Sequence, residues 1–205
     1  MDDAHKDDNR PARRERRVIP AGPVPTEAKL REAALAHLAR FAATEVGLRR
    51  VLQRRVDRWV RRAEAEGGDT AGAAGARALA ADVARKLVAS GVVDDAAFAE
   101  ARARRLARAG RSRRAIEAHL AGKGVGREAV AAAVPANPAT ELDAALAQCR
   151  RRRIGPFAAE EVPRELRMKA LAALARAGFS RDVAEAALDM APEEAEDRLL
   201  RLKQS

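Results

Sequence analysis

The chain has 205 residues, and its 40 lysines and arginines against 30 aspartates and glutamates give a formal net charge of +10. This surplus favours a polyanionic partner, whereas an aromatic content of 2% argues against a protein that stacks nucleobases on a row of aromatic rings. Because Cys149 is the only cysteine, an intramolecular disulfide is excluded, and a reducing compartment is indicated. The sequence contains no run of about 18 apolar residues, so it predicts no membrane span. Abundant alanine with few β-branched residues predicts an all-α protein.

Residues 1–25 carry many charges and four prolines, which predicts a disordered basic arm. The positive charge of this arm is concentrated in Arg13, Arg14, Arg16 and Arg17. Its first residues lack the apolar stretch of a secretory signal, so we expect a cytoplasmic protein.

The next part of the chain predicts two amphipathic helices and an insertion. The segments TEAKLREAALAHLARFA, residues 26–42, and EVGLRRVLQRRVDRWVRRA, residues 45–63, repeat apolar residues at steps of three and four. The second segment places arginines opposite its apolar face: Arg49, Arg50, Arg54, Arg55, Arg58, Arg61 and Arg62. The stretch AEGGDTAGAAGA, residues 65–76, predicts a flexible insertion rich in glycine and alanine.

Three later segments place a glycine where a helix should end. Gly91, Gly124 and Gly178 each follow a leucine by four positions, and each is followed at once by an apolar residue and at the fourth place by an acid. Glycine at this position takes the left-handed conformation that ends a helix. The spacing of the glycines is irregular, which predicts short helices in tandem modules rather than a regular solenoid.

Two adjacent carboxylates in GVVDDAAF, residues 91–98, raise the question of a catalytic or metal site. Asp94 stands at the N-cap position of a predicted helix, with Val93 and Phe98 placed as a hydrophobic staple. Asp95 adds a favourable charge at the start of that helix. We therefore interpret both carboxylates as structural.

The other polar residues form no constellation that supports catalysis. His5, His37 and His119 lack the spacing of metal ligands, and no nucleophile is paired with a base. Neighbouring arginines could lower the pKa of the Cys149 thiol, but we interpret Cys149 as a partly buried structural thiol. The sequence therefore predicts a binding protein that is not an enzyme and uses no metal or cofactor.

Basic residues recur in clusters after the acid pair. The candidate contacts for a polyanion are Arg104, Arg105 and Arg108 on one side of a helix, Arg111, Arg113 and Arg114 at the start of the next, Lys123 near its end, and Arg150, Arg151, Arg152 and Arg153 at a later helix end. Arginines at a helix N-terminus are locally unfavourable and favour an external anion, whereas those at a C-terminus also complement the helix dipole. A contact surface and a solvated face both remain open as explanations.

The segment GVVDDAAFAEARARRLARAGRSRRAIEAHLAGKGV, residues 91–125, resembles the central block of the RecX family, which are small helical regulators of the RecA recombinase. Residues 174–188, LARAGFSRDVAEAAL, resemble the last module of the family, and residues 34–55 resemble the first. Two positions depart from the family pattern. Val93 stands where an aromatic residue is usual, and Ala97 where an arginine often precedes the phenylalanine.

This resemblance implies an elongated chain of about three modules, each of three helices. We assign the modules to residues 26–92, 93–135 and 139–190, and a C-terminal tail or short helix to residues 191–205. The resemblance further implies a protein that binds the RecA recombinase and its DNA filament, with weak electrostatic contacts to DNA, and that limits recombination, strand exchange and the SOS response. We expect a monomer. Charge alone supports an alternative, a general DNA- or RNA-binding protein without RecA specificity.

Overall fold

The computed structural model describes residues 20–159 and 163–204, and within these residues all regular structure is helical. The α-helices are α1 (Glu27–Leu38), α2 (Glu45–Ala65), α3 (Ala73–Ala89), α4 (Asp95–Arg108), α5 (Arg113–Gly122), α6 (Arg127–Ala133), α7 (Pro138–Arg152), α8 (Arg164–Arg176), α9 (Arg181–Asp189) and α10 (Pro192–Gln204), and a 3-10 helix spans Gly155–Phe157. The prediction of an all-α fold is confirmed. Among the described helices, none combines the length and the apolar character that crossing a bilayer requires.

Local capping explains where most of these helices begin and end. At six helices the N-cap side chain accepts a hydrogen bond from a backbone N–H of the first turn. The caps are Thr26, Thr44, Asp94, Ser112, Asn137 and Ser180. A cap of this kind satisfies a donor that the helix start leaves free and stabilises by about 1 kcal/mol. Left-handed glycines follow α3, α5 and α8, with φ of 72° at Gly91, 84° at Gly124 and 95° at Gly178.

The helices α1, α2 and α3 enclose one hydrophobic core. Leu30 of α1, Leu48 and Leu52 of α2, and Val83 and Leu87 of α3 are buried in it. The contact between α2 and α3 is the most extensive between any two described helices. These three helices therefore form a module with its own interior.

Two further cores follow in chain order. The helices α4, α5 and α6 surround Ile116 and Leu120, and α7, α8 and α9 surround Leu146 and Leu174. The last helix, α10, packs on α7 and buries Leu199 in the third core. Because each core is made by consecutive helices, the described chain is a series of local bundles joined at their ends.

The predicted basic arm can be compared with the structure only at its end. Residues 1–19 lie outside the described residues, so the arginine cluster of the arm is not placed. Ala21 and Gly22 lie against α2, where Ala21 packs near Trp59 and the Trp59 Nε1–H donates a hydrogen bond of 3.0 Å to the Gly22 carbonyl. The end of the arm is thus held by the first module.

The insertion predicted over residues 65–76 is shorter in the structure. Residues 73–76 form the first turn of α3, and the side chains of Ala73 and Ala76 are buried. Their composition is that of a linker, but their small side chains allow α3 to pack closely against α2. The connection between the two helices is therefore limited to residues 66–72.

The three aligned glycines occupy two different places in the modules. Gly124 and Gly178 follow the second helix of a module, whereas Gly91 follows α3, the third helix. The counterpart in the first module is Gly67, which follows α2 with φ of 68°. The same sequence pattern follows both second and third helices, because it is typical of any helix end and does not depend on the position of the helix in its module.

Candidate polyanion-binding surface

The helix that carries the first basic cluster, α4, begins at the acid pair. The Asp94 carboxylate accepts a hydrogen bond of 2.9 Å from the Ala97 N–H, which makes Asp94 the N-cap of α4. Val93 is buried in the core of the first module, while the half-buried Phe98 packs in the core of the second. The two residues that the sequence pairs as a staple therefore fix the start of α4 between two neighbouring modules.

Asp95 has a role that the sequence does not indicate. Its carboxylate accepts a hydrogen bond of 2.8 Å from the backbone N–H of Glu45, the first residue of α2. Asp95 thus satisfies a free donor at the start of a helix in another module. In the described part of the chain, no group of three or more His, Cys, Asp or Glu side chains is placed to hold a metal ion.

The junction between the first and second modules is centred on Thr44, the N-cap of α2. The buried Thr44 hydroxyl donates a hydrogen bond of 2.7 Å to the Lys123 carbonyl and accepts one of 2.9 Å from the Gly47 N–H. Gly124, which follows Lys123, packs so closely on α2 that a Cβ atom there would overlap the side chain of Val46. The start of α2 is therefore seated on the end of α5.

The junction between the second and third modules is centred on Ser112, the N-cap of α5. The fully buried Ser112 hydroxyl donates a hydrogen bond of 2.6 Å to the Ala177 carbonyl and accepts one of 3.2 Å from the Ala115 N–H. A Cβ atom on Gly178, the next residue after Ala177, would lie 2.6 Å from the Ser112 Oγ. The start of α5 is thus seated on the end of α8.

The two junctions share one arrangement. In both, the hydroxyl N-cap of a second helix binds the carbonyl that precedes a left-handed glycine of the following module. In both, an acid in the first turn of the following module accepts the next backbone N–H, with Asp95 bound to Glu45 and Glu141 bound to Arg113 at 2.9 Å. Burial raises the pKa of Glu141, and the hydrogen bond from Arg113 opposes this effect.

All the predicted cationic contacts lie on the exposed surface, but three of them already have partners. The Arg113 Nε–H is bound to Glu117 at 2.8 Å, and an Arg104 Nη lies 3.6 Å from Glu100. An Arg151 Nη–H donates to the Ala109 carbonyl at 2.6 Å. The others make no side-chain hydrogen bond or ion pair to any described residue, namely Arg105, Arg108, Arg111, Arg114, Lys123, Arg150, Arg152 and Arg153.

A cleft of about 290 Å³ brings together two of the predicted clusters. It lies where the ends of α4 and α7 meet α10, and its lining contains Arg108 from α4 with Arg150 and Arg151 from α7. Ala109, Ala147, Leu199 and Leu202 complete the lining. The sequence separates Arg108 from Arg150 by a whole module, so no local pattern could indicate that they meet.

His119 lies in a positive environment on α5. Its Nε2 accepts a hydrogen bond of 3.1 Å from the Arg102 Nε–H. Burial lowers the pKa of His119, and the positive charges of Arg102, Lys123 and Arg111 lower it further. The imidazole therefore remains neutral at physiological pH and reports a positive potential on this side of the second module.

A groove of about 1010 Å³ lies beside the last basic cluster, in the third module. Arg152, Arg153 and Lys169 line it together with apolar residues such as Leu166, which is exposed. Arg153 ends α7 in the left-handed conformation, with φ of 55°. Ala159 and Pro163 also line the groove, and the three residues between them in the chain, 160–162, lie outside the described residues.

The arginines that follow Cys149 in the sequence do not make its thiol reactive. Its side chain is fully buried in the third core, and burial raises the pKa of the thiol to about 12. The thiolate is the nucleophilic form of cysteine, so a thiol with this pKa is inert at neutral pH. The neighbouring arginines lie outside the core and do not offset the cost of burying the charge.

Comparisons with known proteins point to one family. The model of the family domain "RecX, second three-helix domain" matches residues 94–134. The chain is 42% identical over 166 residues to "Regulatory protein RecX" of Myxococcus xanthus (strain DK1622), covering 80% of this chain and 86% of that protein. It is 37% identical over 107 residues to "Regulatory protein RecX" of Agrobacterium fabrum (strain C58 / ATCC 33970), covering 52% of this chain and 57% of that protein. No solved structure matches the chain significantly.

Proposed function

Since the chain belongs to the RecX family of regulatory proteins, we propose that it binds the RecA recombinase or its DNA filament and mainly inhibits recombination, strand exchange and the SOS response. The observation that carries the proposal is that the family match over residues 94–134 coincides with exposed cations that have no partner among the described residues. We propose that the protein acts by binding, without catalysis, as a cytoplasmic monomer.

The proposed partner suits the distribution of charge. A nucleoprotein filament carries closely spaced phosphates and offers repeated sites along its length, so many weak contacts add up. The unpartnered cations lie on α4, on the turn before α5, and at the ends of α5 and α7, and they therefore extend over two modules. Contacts of this type release counterions, so we expect the affinity to decrease steeply as the salt concentration rises.

The alternative function is general binding to DNA or RNA without recognition of RecA. The formal net charge of +10 favours it, because such a surplus alone supports non-specific binding. This alternative predicts that affinity follows the charge and length of the nucleic acid and does not change when RecA coats the strand.

The deciding experiment measures RecA on single-stranded DNA with ATP, in the presence of increasing amounts of the protein. We expect suppression of ATP hydrolysis and of strand exchange at substoichiometric amounts, and tighter binding to the preformed filament than to RecA or DNA alone. Unchanged ATP hydrolysis and strand exchange, together with persistent binding to bare DNA, would refute the proposal and support the alternative.

A further inference from the structure

The cleft at the junction of the second and third modules has the features of a specific binding site. Arg108 and Arg150 line it, and both are exposed and without a side-chain partner among the described residues. Arg151 also lines the cleft but is fixed by its hydrogen bond to the Ala109 carbonyl. We propose that this cleft binds one nucleotide of a single-stranded nucleic acid, with the base inside the cleft and the phosphate between Arg108 and Arg150.

The size of the cleft limits the ligand to one nucleotide. Its volume of about 290 Å³ lies just below the range of typical small-ligand sites, about 300–1,000 Å³. A paired base remains in its stack and cannot enter such a space, whereas an unpaired base can turn out of the strand. The cleft is therefore selective for single strands.

The lining suits a base together with a phosphate. Ala109, Ala147 and Leu202, which are not fully buried, offer apolar surface to the faces of the base. No carboxylate is among the described residues that line the cleft, and Asp143, on α7, is bound to Arg198 at 2.8 Å. Within the described part of the chain, no acid in the cleft therefore competes for Arg108 and Arg150, and each guanidinium group can donate two parallel hydrogen bonds to a phosphate.

Arg151 provides a flat surface that is already oriented. One of its Nη atoms donates to the Ala109 carbonyl at 2.6 Å, and the other is hydrogen-bonded to the buried Gln148 side chain. Guanidinium planes stack on unpaired bases, as aromatic rings do. In a chain with 2% aromatic residues, a fixed arginine is the available group for this contact. Because Arg151 is held before the ligand arrives, little side-chain entropy is lost on binding.

This inference rests on the proposed function only in that nucleic acid is one of the ligands. The proposed function requires an effect on the recombinase, whereas the cleft is tested with nucleic acid alone. The two can therefore fail separately. A nucleotide in the cleft would touch α4 and α7 at once, so it would also bridge two modules.

The first test removes the charges of Arg108 and Arg150, the two lining arginines that have no partner among the described residues. The double variant Arg108→Gln and Arg150→Gln is compared with the charge-matched control Arg127→Gln and Arg176→Gln, whose side chains are also exposed and without partners among the described residues. Fluorescence anisotropy with a short labelled oligothymidylate measures the affinity. We expect about tenfold weaker binding for the cleft variant and a clearly smaller loss for the control. Equal losses would overturn the proposal, because only total charge would then matter.

The second test fills the cleft without changing the charge. Ala147→Leu places a larger side chain in the cleft, and Ala118→Leu on the exposed surface of α5 is the control. We expect Ala147→Leu to weaken oligonucleotide binding by about tenfold, while binding to RecA without DNA is unchanged. An oligonucleotide that lacks its bases should already bind more weakly to the native protein. Undiminished binding of this abasic strand would show that the phosphates alone are bound and would refute insertion of a base, even if Ala147→Leu failed to fold.

Discussion

The most direct prediction concerns Ser112, whose hydroxyl serves two modules at once. It caps α5 through the Ala115 N–H at 3.2 Å, and it donates to the Ala177 carbonyl of the third module at 2.6 Å. Ser112→Ala removes both hydrogen bonds and leaves the backbone of both partners in place. The variant therefore measures what the junction contributes to the stability of the fold.

The expected loss is the sum of two effects. Removing a serine N-cap costs about 1 kcal/mol. The Ser112 side chain is 0% exposed, so water does not replace it easily at the Ala177 carbonyl, and an unsatisfied buried acceptor costs about 1–2 kcal/mol more. We therefore expect Ser112→Ala to lower the free energy of unfolding by roughly 2–3 kcal/mol.

The matched control is Ser180→Ala. Ser180 is also an N-cap, bound to the Val183 N–H at 3.3 Å, but it is exposed and makes no hydrogen bond to another module among the described contacts. Ser180→Ala should lower the free energy of unfolding by about 1 kcal/mol. Urea unfolding followed by circular dichroism measures both variants. A loss for Ser112→Ala no larger than that for Ser180→Ala would refute the conclusion that the hydroxyl joins the modules.

Three further predictions concern the exposed arginines of α4, the buried thiol of Cys149 and the left-handed Gly124. The charge-reversed variant replaces Arg104, Arg105 and Arg108 with glutamate. We expect it to bind the filament more weakly, with the slope of log affinity against log salt concentration reduced by roughly one unit per lost phosphate contact, while its circular dichroism is unchanged. An unaltered slope would exclude this face of α4 from the contact surface. Cys149 should resist iodoacetamide at neutral pH in the native protein and react after unfolding, because burial raises the pKa of its thiol to about 12; rapid labelling of the native protein would contradict the burial. Gly124→Ala should lower the free energy of unfolding by more than 1 kcal/mol, since φ is 84° and the added Cβ overlaps Val46; the control, Gly75→Ala within α3, has open space around the added atom and should be neutral or stabilising.

The features that the sequence predicts well are those fixed by neighbouring residues. The N-cap serine and aspartate at 112 and 94 are recognisable because capping acts within one helical turn. The end of α5 at Gly124 is recognisable for the same reason, since only glycine takes a positive φ at little cost. These short-range preferences, repeated along an alanine-rich chain, are sufficient to predict an all-helical fold.

The contacts that join the modules cannot be predicted from neighbouring residues in the sequence. Thr44 meets the Lys123 carbonyl across 79 positions, and Ser112 meets Ala177 across 65. Both residues have the sequence of an ordinary N-cap, and their second hydrogen bond depends on where another module lies. Asp95 is a similar case, because its charge suits its own helix while its carboxylate is bound to the start of α2.

The candidate surface shows the same division between local and distant information. Sequence clusters located the arginines, but they could not separate Arg151, which is used inside the fold, from Arg150, which has no partner among the described residues. They also could not predict that Arg108 lies near Arg150, since this depends on how α4 packs against α7, for example through the close approach of Gly110 to the α7 backbone at Gln148. Which cations can contact a partner is therefore a property of the junctions as much as of the basic clusters.

Because the two junctions share one arrangement, the basic helix ends of the second and third modules have equivalent positions. The helices α4 and α7 are the first helices of successive modules, and each ends in a basic turn, at Arg105 and Arg108 in one and Arg150 and Arg152 in the other. Each start is joined to the preceding module through an acid, Asp95 or Glu141, that accepts a backbone N–H. Because similar hydrogen bonds relate each module to the next, these basic ends occupy the same place in the second and third modules, whereas the last turn of α1 in the first module contains His37 and no arginine or lysine. Under the proposed function, a partner that repeats along its own length would contact both basic ends at once. Asp95 and Glu141 would then contribute to binding only by holding successive modules in place.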